Sequence, residues 1–252
     1  MRIDLNADLG EGFGVWQLTD DEALLRIVTS ANVACGFHAG DPVTMTRVCA
    51  SAARLDVAIG AQVSYRDLIG FGRRRLDVGV EELKADILYQ LGALAACARA
   101  AGTRVRYVKP HGALYNTAAD DPRSAAAIAS AMAAFDPAMP LLGLPGSALA
   151  DAADAIGIPF VTEAFADRRY TAHGRLQPRG AAGAVLAEID DVVAQAVSIV
   201  RDGRARADDG AAVDIRAESI CVHGDTPDAV PIARAVRAAL TAAGADVTAF
   251  TA

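Results

Sequence analysis

Residues 104–116 read RVRYVKPHGALYN. A short β-type run over 104–109 ends in Lys109, Pro110 then fixes the backbone, and Gly112 lets the chain turn. A lysine that closes a core strand is either strained or facing a cavity. Beside a histidine such as His111, it can hold an anion or titrate away from its usual pKa. The same strand-then-helix rhythm runs outward in both directions. Strands are predicted over 2–5, 31–36, 57–63, 140–144, 159–163 and 219–222, with a further short one over 246–250. Helices are predicted over 20–29, 42–54, 80–101, 122–135, 147–155, 189–201 and 227–243. Thr19 with Glu22 three residues on reads as a capping box, and Asp41-Pro42 and Asp121-Pro122 read as caps followed by proline at the first helical position. A long loop is expected over 164–183, and a hairpin over 206–215 turns at Asp209-Gly210.

This makes about seven β-then-α units whose strands are mostly apolar without alternation, the mark of a parallel sheet covered on both faces. Two architectures suit it, a (β/α) barrel and an open doubly wound sheet. No Gly-rich dinucleotide turn follows the first strand, and no P-loop occurs in the chain.

Unusual polar residues gather just after the strands. They are Asn6, Asp8 and Glu11; His38 and Asp41; Gln62, Ser64, Tyr65 and Asp67; Lys109, His111, Tyr115 and Asn116; Glu163, Asp167 and Arg168; and His223 and Asp225. In a parallel barrel these ends meet on one face, where active sites lie. Plainer roles compete: Asp41 serves as a helix cap, Asn6 as a partner of its own turn, and Asp225 as a second-best cap behind Thr226. His173 reads as a solvent-exposed loop residue.

The chain has 252 residues, a length that suits one α/β domain, and no linker interrupts it. Hydrophobic residues make up 53%, enough for a large core. The net charge of −7 and 5% aromatic content argue against nucleic-acid binding, which needs a basic face or stacking platforms. No apolar run is long enough to span a membrane. Cys35, Cys49, Cys97 and Cys221 form no CxxC pair and read as reduced, buried thiols. With an N-terminus unlike a signal peptide, the expected location is cytoplasmic.

Six blocks are distinctive in this order: DLNADLGEG (4–12), NVACGFHAGDP (32–42), VKPHGALYN (108–116), EAFADRRY (163–170), LQPR (176–179) and CVHGD (221–225). Together they resemble the LamB/YcsF family, the A subunits of bacterial ATP-dependent 5-oxoprolinases, and the resemblance runs from residue 1 to about 240. It implies a single (β/α)-barrel domain over 1–252, related to the glycoside hydrolase/deacetylase barrels. It implies opening of the 5-oxoproline lactam to L-glutamate coupled to hydrolysis of ATP to ADP and phosphate, with partner subunits B and C. Within that chemistry the expected anion-binding groups are Lys109 and Arg168. The expected proton-transfer or metal groups are Asp8, His38, His111, Glu163 and Asp225, and the expected substrate contacts include Asn6, Tyr115 and His223. Whether a divalent metal takes part is left open. The family commonly reads GAHPSYPD where this chain has GAQVSYRD (60–67). Gln62 cannot cycle a proton near neutral pH, so no essential role is expected at that position. Two other readings remain: a stand-alone metal-dependent deacetylase-like hydrolase, and a non-catalytic substrate-binding subunit.

Overall fold

The computed structural model describes residues 1–251. Ten strands and eight helices follow in the order β1 (Arg2–Leu9), α1 (Asp21–Leu25), β2 (Ser30–Ala34), α2 (Pro42–Arg54), β3 (Ala58–Val63), α3 (Val80–Ala100), β4 (Val105–Pro110), α4 (Gly112–Asp120), α5 (Pro122–Phe135), β5 (Leu141–Gly143), α6 (Ala148–Ala155), β6 (Phe160–Phe165), α7 (Ile189–Asp202), β7 (Arg204–Arg206), β8 (Ala212–Asp214), β9 (Ser219–Val222), α8 (Ala229–Ala242) and β10 (Asp246–Val247). Seven parallel strands, β1-β2-β3-β4-β5-β6-β9, close into a barrel because β9 pairs with both β6 and β1. Closure decides between the two architectures that the sequence left open. The expected hairpin is present as β7 and β8, paired antiparallel outside the barrel.

The first strand is longer than its polarity implied. Asn6 and Asp8 lie on β1, not after it. Asp4, Asn6 and Asp8 alternate with Leu5, Ala7 and Leu9, the two-residue period of a strand with different surroundings on each face. Here the polar face lines the barrel interior and the apolar face packs among the core side chains. The interior is therefore a buried polar column. Asp4 accepts hydrogen bonds from Ser30 (2.6 Å) and from Ser219, and Asn6 accepts one from Asn32 (2.7 Å).

Three other elements differ from expectation. The first helix spans only Asp21–Leu25, and its cap is Asp20, which accepts from Ala23 N at 3.1 Å. Thr19 instead donates to Asp21 at 2.6 Å, and Glu22 accepts from Ser51, so no capping box forms. Helix α4 follows β4 directly where no helix was expected. The last helix starts at Ala229, after a turn in which Ala229 N donates to Thr226 O. The caps at Asp41 and Asp121 are as expected.

Candidate active site

The strands deliver their ends to a cavity of about 960 Å³ at the C-terminal mouth of the barrel. Asp8, Lys109, His111, Tyr115, Arg168 and His223 line it. Asn6, His38 and Glu163 are buried beneath, each 0% exposed. Asp225 is bound to Arg73 and Arg179, two guanidiniums of the same cavity wall.

Lys109 organises the floor. Its ammonium lies 2.7 Å from Glu163 Oε1 and 3.4 Å from Asp8 Oδ1, and it donates to Asn6 Oδ1 at 3.3 Å. Burial disfavours its charge, but Asp8 and Glu163 outweigh that and hold its pKa well above the ordinary value. Burial likewise pushes the Asp8 carboxyl up, yet Lys109, His223 and His111 outweigh it and keep Asp8 below the usual carboxylate range. Asp8 is thus an ionised carboxylate at the cavity floor. Asn6 is fully committed elsewhere, donating to Glu163 and Ser219 while accepting from Asn32, so it has no group free for a substrate. Glu163 is the counter-ion of Lys109 rather than a cavity group. Removing Lys109 would strand two buried carboxylates, so it carries stability.

A second network surrounds Gln62. Its amide donates to Glu11 Oε1 (3.1 Å) and His111 Nδ1 (3.0 Å) and accepts from His38 Nε2 (3.1 Å). These bonds fix both tautomers, leaving His111 Nε2–H to donate to Phe71 O at 3.0 Å. The two imidazoles stack at 4.0 Å. Burial lowers both, taking His111 to about 4 and His38 well below its ordinary value, so both are neutral near pH 7. Burial, reinforced by Asp8, raises Glu11 well above a normal carboxyl and favours its neutral form. Glu11, His38 and His111 each bring one ligand atom within 4.8 Å of the others. The three could hold a divalent ion: the Gln62 amide bonds to one atom of each, and Glu11 Oε2 and His38 Nδ1 are buried without a partner. Gln62, expected to have no essential role, is the hub of this cluster.

On the opposite wall, His223 Nδ1–H donates to Asp167 at 2.9 Å, and its backbone N–H donates to the same carboxylate at 3.1 Å. Its Nε2 makes no hydrogen bond among the described residues. Burial opposes the Asp167 charge, but His223 outweighs it and lowers the pKa. Phe165 stacks on the imidazole at 5.4 Å. The arrangement is that of an oriented acid–base histidine. Tyr115 presents a buried hydroxyl that faces Glu163 without closing a well-formed hydrogen bond. Arg168 reaches the cavity wall, but its guanidinium donates to Ala184 O and Gln177 O, so it ties down the long loop instead of standing free for an anion. Asp167, Arg73 and Arg179 have no role that the sequence assigns, since only folding reveals their partners.

No helix among the described residues is long and apolar enough to cross a membrane. All four cysteines are free.

Residues 3–252 match the LamB/YcsF family. The chain is 59% identical over 248 residues to the A subunit of 5-oxoprolinase from Streptomyces avermitilis, covering 98% of this chain and 99% of that one. It is 58% identical over 250 residues to the protein of the same name from Nocardia farcinica, covering 99% and 100%. Among solved structures it resembles a lactam utilization protein from Thermus thermophilus, with a TM-score of 0.94, 43% identity and 99% and 100% coverage. A T48 deacetylase shares the fold alone, with a TM-score of 0.50, 14% identity and coverage of 98% and 87%.

Proposed function

The chain belongs to the LamB/YcsF family, and from that premise we propose that it is the A subunit of an ATP-dependent 5-oxoprolinase, opening the lactam of 5-oxoproline to L-glutamate with hydrolysis of ATP to ADP and phosphate. The observation that carries this reading is 59% identity, over nearly all of both chains, to a protein named as the A subunit of 5-oxoprolinase.

The site chemistry supports it. An amide resists water because resonance deactivates its carbonyl carbon. Transfer of phosphate from ATP to the carbonyl oxygen would make that carbon electrophilic and supply a leaving group. Water then adds to carbon and the ring C–N bond breaks, the nitrogen taking a proton to become the amine; a second water hydrolyses the acyl phosphate left behind, releasing glutamate and phosphate. Asp8, kept ionised by Lys109, accepts a hydrogen bond from the attacking water and orients it. His223, oriented by Asp167, is the acid for the departing nitrogen. Tyr115 offers a hydroxyl to the substrate, and His111, neutral beside Asp8, shapes the floor. His38 and Glu163 act from beneath, through Gln62 and Lys109.

With no P-loop in the sequence, the ATP chemistry is proposed to require the partner subunits B and C. Purified chain alone should then show little 5-oxoproline-dependent release of ADP and glutamate, and adding both partners should restore it. Asp8→Asn should lower that restored turnover by about 10²-fold. Full coupled activity from the chain alone would sink the three-part reading, and a fully active Asp8→Asn enzyme would sink the role of Asp8.

A further inference from the structure

The groups expected from sequence to bind an anion are both occupied, Lys109 by two carboxylates and Arg168 by backbone carbonyls. The cavity wall nevertheless holds two further guanidiniums brought together on one carboxylate. Arg73 Nη2 lies 2.6 Å from Asp225 Oδ2, and Arg179 Nη2 lies 3.2 Å from Asp225 Oδ1. We propose that Arg73 and Arg179, held side by side by Asp225, are the receptor for the substrate's carboxylate. This rests on the reading of the chain as a lactam-opening subunit.

Three separate anchors build the pair. Arg73 follows Phe71 and Gly72, which take positive φ values of 55° and 65°. A Cβ on Gly72 would collide with Ser64 Oγ and lie 2.9 Å from His111 Cδ2, so the loop presses directly onto the site. Ala113 N–H and His111 Nε2–H pin that loop from below through Gly72 O and Phe71 O. Arg179 sits on the long loop that Arg168 ties down at Gln177 and Ala184. Asp225 follows Gly224, whose Cβ would collide with Asp8 O. The positions of both arginines are therefore coupled to the Asp8–His111 floor.

Two guanidiniums on one carboxylate leave a net positive charge, and Arg168, close enough for both arginines to lower its pKa, adds to it. That field suits an anion joining the cluster without displacing Asp225, and the carboxylate is the anion that the lactam brings. Guanidinium forks match carboxylate geometry, and partial burial strengthens the contact. Both arginines line the cavity that Asp8 and Lys109 floor. A carboxylate held at the wall would leave the lactam ring to extend toward that floor.

The test compares L-5-oxoproline with 2-pyrrolidone, the same lactam without the carboxylate. By calorimetry the purified full chain should bind 5-oxoproline at least about 10²-fold more tightly. Arg73→Gln and Arg179→Gln should each weaken 5-oxoproline by about 10²-fold while leaving 2-pyrrolidone unchanged, the scale of one charge-assisted pair. Both side chains are partly exposed, so unchanged melting is expected. Equal or absent binding of the two lactams by the wild type, or variants that keep the discrimination, overturns the assignment. So does loss of ATP affinity with lactam discrimination intact, which would give the pair to a phosphate. Turnover by the complex is scored separately. Discrimination without any turnover would sink the proposed function and leave the carboxylate receptor standing.

Discussion

Asp4 and Asp8 lie four residues apart on the same face of one strand, and their surroundings push them in opposite directions. Asp8 faces an ammonium and stays ionised. Asp4 has only hydroxyl donors, from Thr29, Ser30 and Ser219, and burial raises it to about 6. A carboxyl raised in the folded state binds its proton more tightly there than in the unfolded chain. Its contribution is complete below the unfolded pKa and is lost as pH rises toward 6. The shift corresponds to about 3 kcal/mol. Relative to wild type, Asp4→Asn should therefore gain about that much stability between pH 4 and pH 7. Urea unfolding of both proteins across this range measures it, and a constant difference would mean that Asp4 titrates as an ordinary carboxyl. The place of Asp8 at the cavity was legible from its residue type and position. The commitment of Asn6 was not, because its partners come from residues 32, 163 and 219.

Among the elements, those with local signals were legible. Asp-Pro at 41–42 and 121–122 supplies a side-chain acceptor and a residue without an N–H, both favoured at a helix start, and both helices begin there. Strand β1 runs past the point where its polar residues suggest an end, although their two-residue spacing from Asp4 to Asp8 is itself a strand signal. Helix α4 was hidden because Pro110 and Gly112 read as a turn, while its end merges at Asp121 with the cap of α5. The turn after β9 gives the sharpest test at this scale. Gly224 brings its backbone so close to Asp8 O that a methyl group cannot fit without movement. Gly224→Ala should shift Asp8 and Asp225 together and reduce turnover of the complex by about 10²-fold, the usual result of displacing reacting groups by about 1 Å. Unchanged turnover would show that the turn adjusts without moving the site.

Over the whole molecule, the barrel separates chemistry from closure. The cavity lies at the C-terminal ends of the strands, and the opposite end is sealed by residues 246–250. There β10 pairs with Arg2 and Ile3, and Phe250 packs edge-on against Tyr107 at 5.0 Å. Phe250→Ala should remove part of that seal and cost about 1–2 kcal/mol. For a chain of this size that is a fall of roughly 2–8 °C in melting temperature. Turnover per folded molecule should not change, since this end of a parallel barrel serves stability rather than catalysis. A drop in turnover without a drop in melting temperature would contradict the separation.

By itself the sequence determined the order of elements apart from α4, the parallel character of the sheet and the collection of polar residues on one face. Each of these follows from neighbours along the chain: burial pattern, caps and strand ends. Only the tertiary structure decided that the sheet closes, because closure is the pairing of β9 with β1, residues more than two hundred positions apart. It also decided which charges are free. Lys109 and Arg168 look available in sequence and are neutralised or bonded by distant groups, whereas Arg73 and Arg179 look unremarkable and converge on Asp225. Charge is a property of a residue, but the field it feels belongs to the fold.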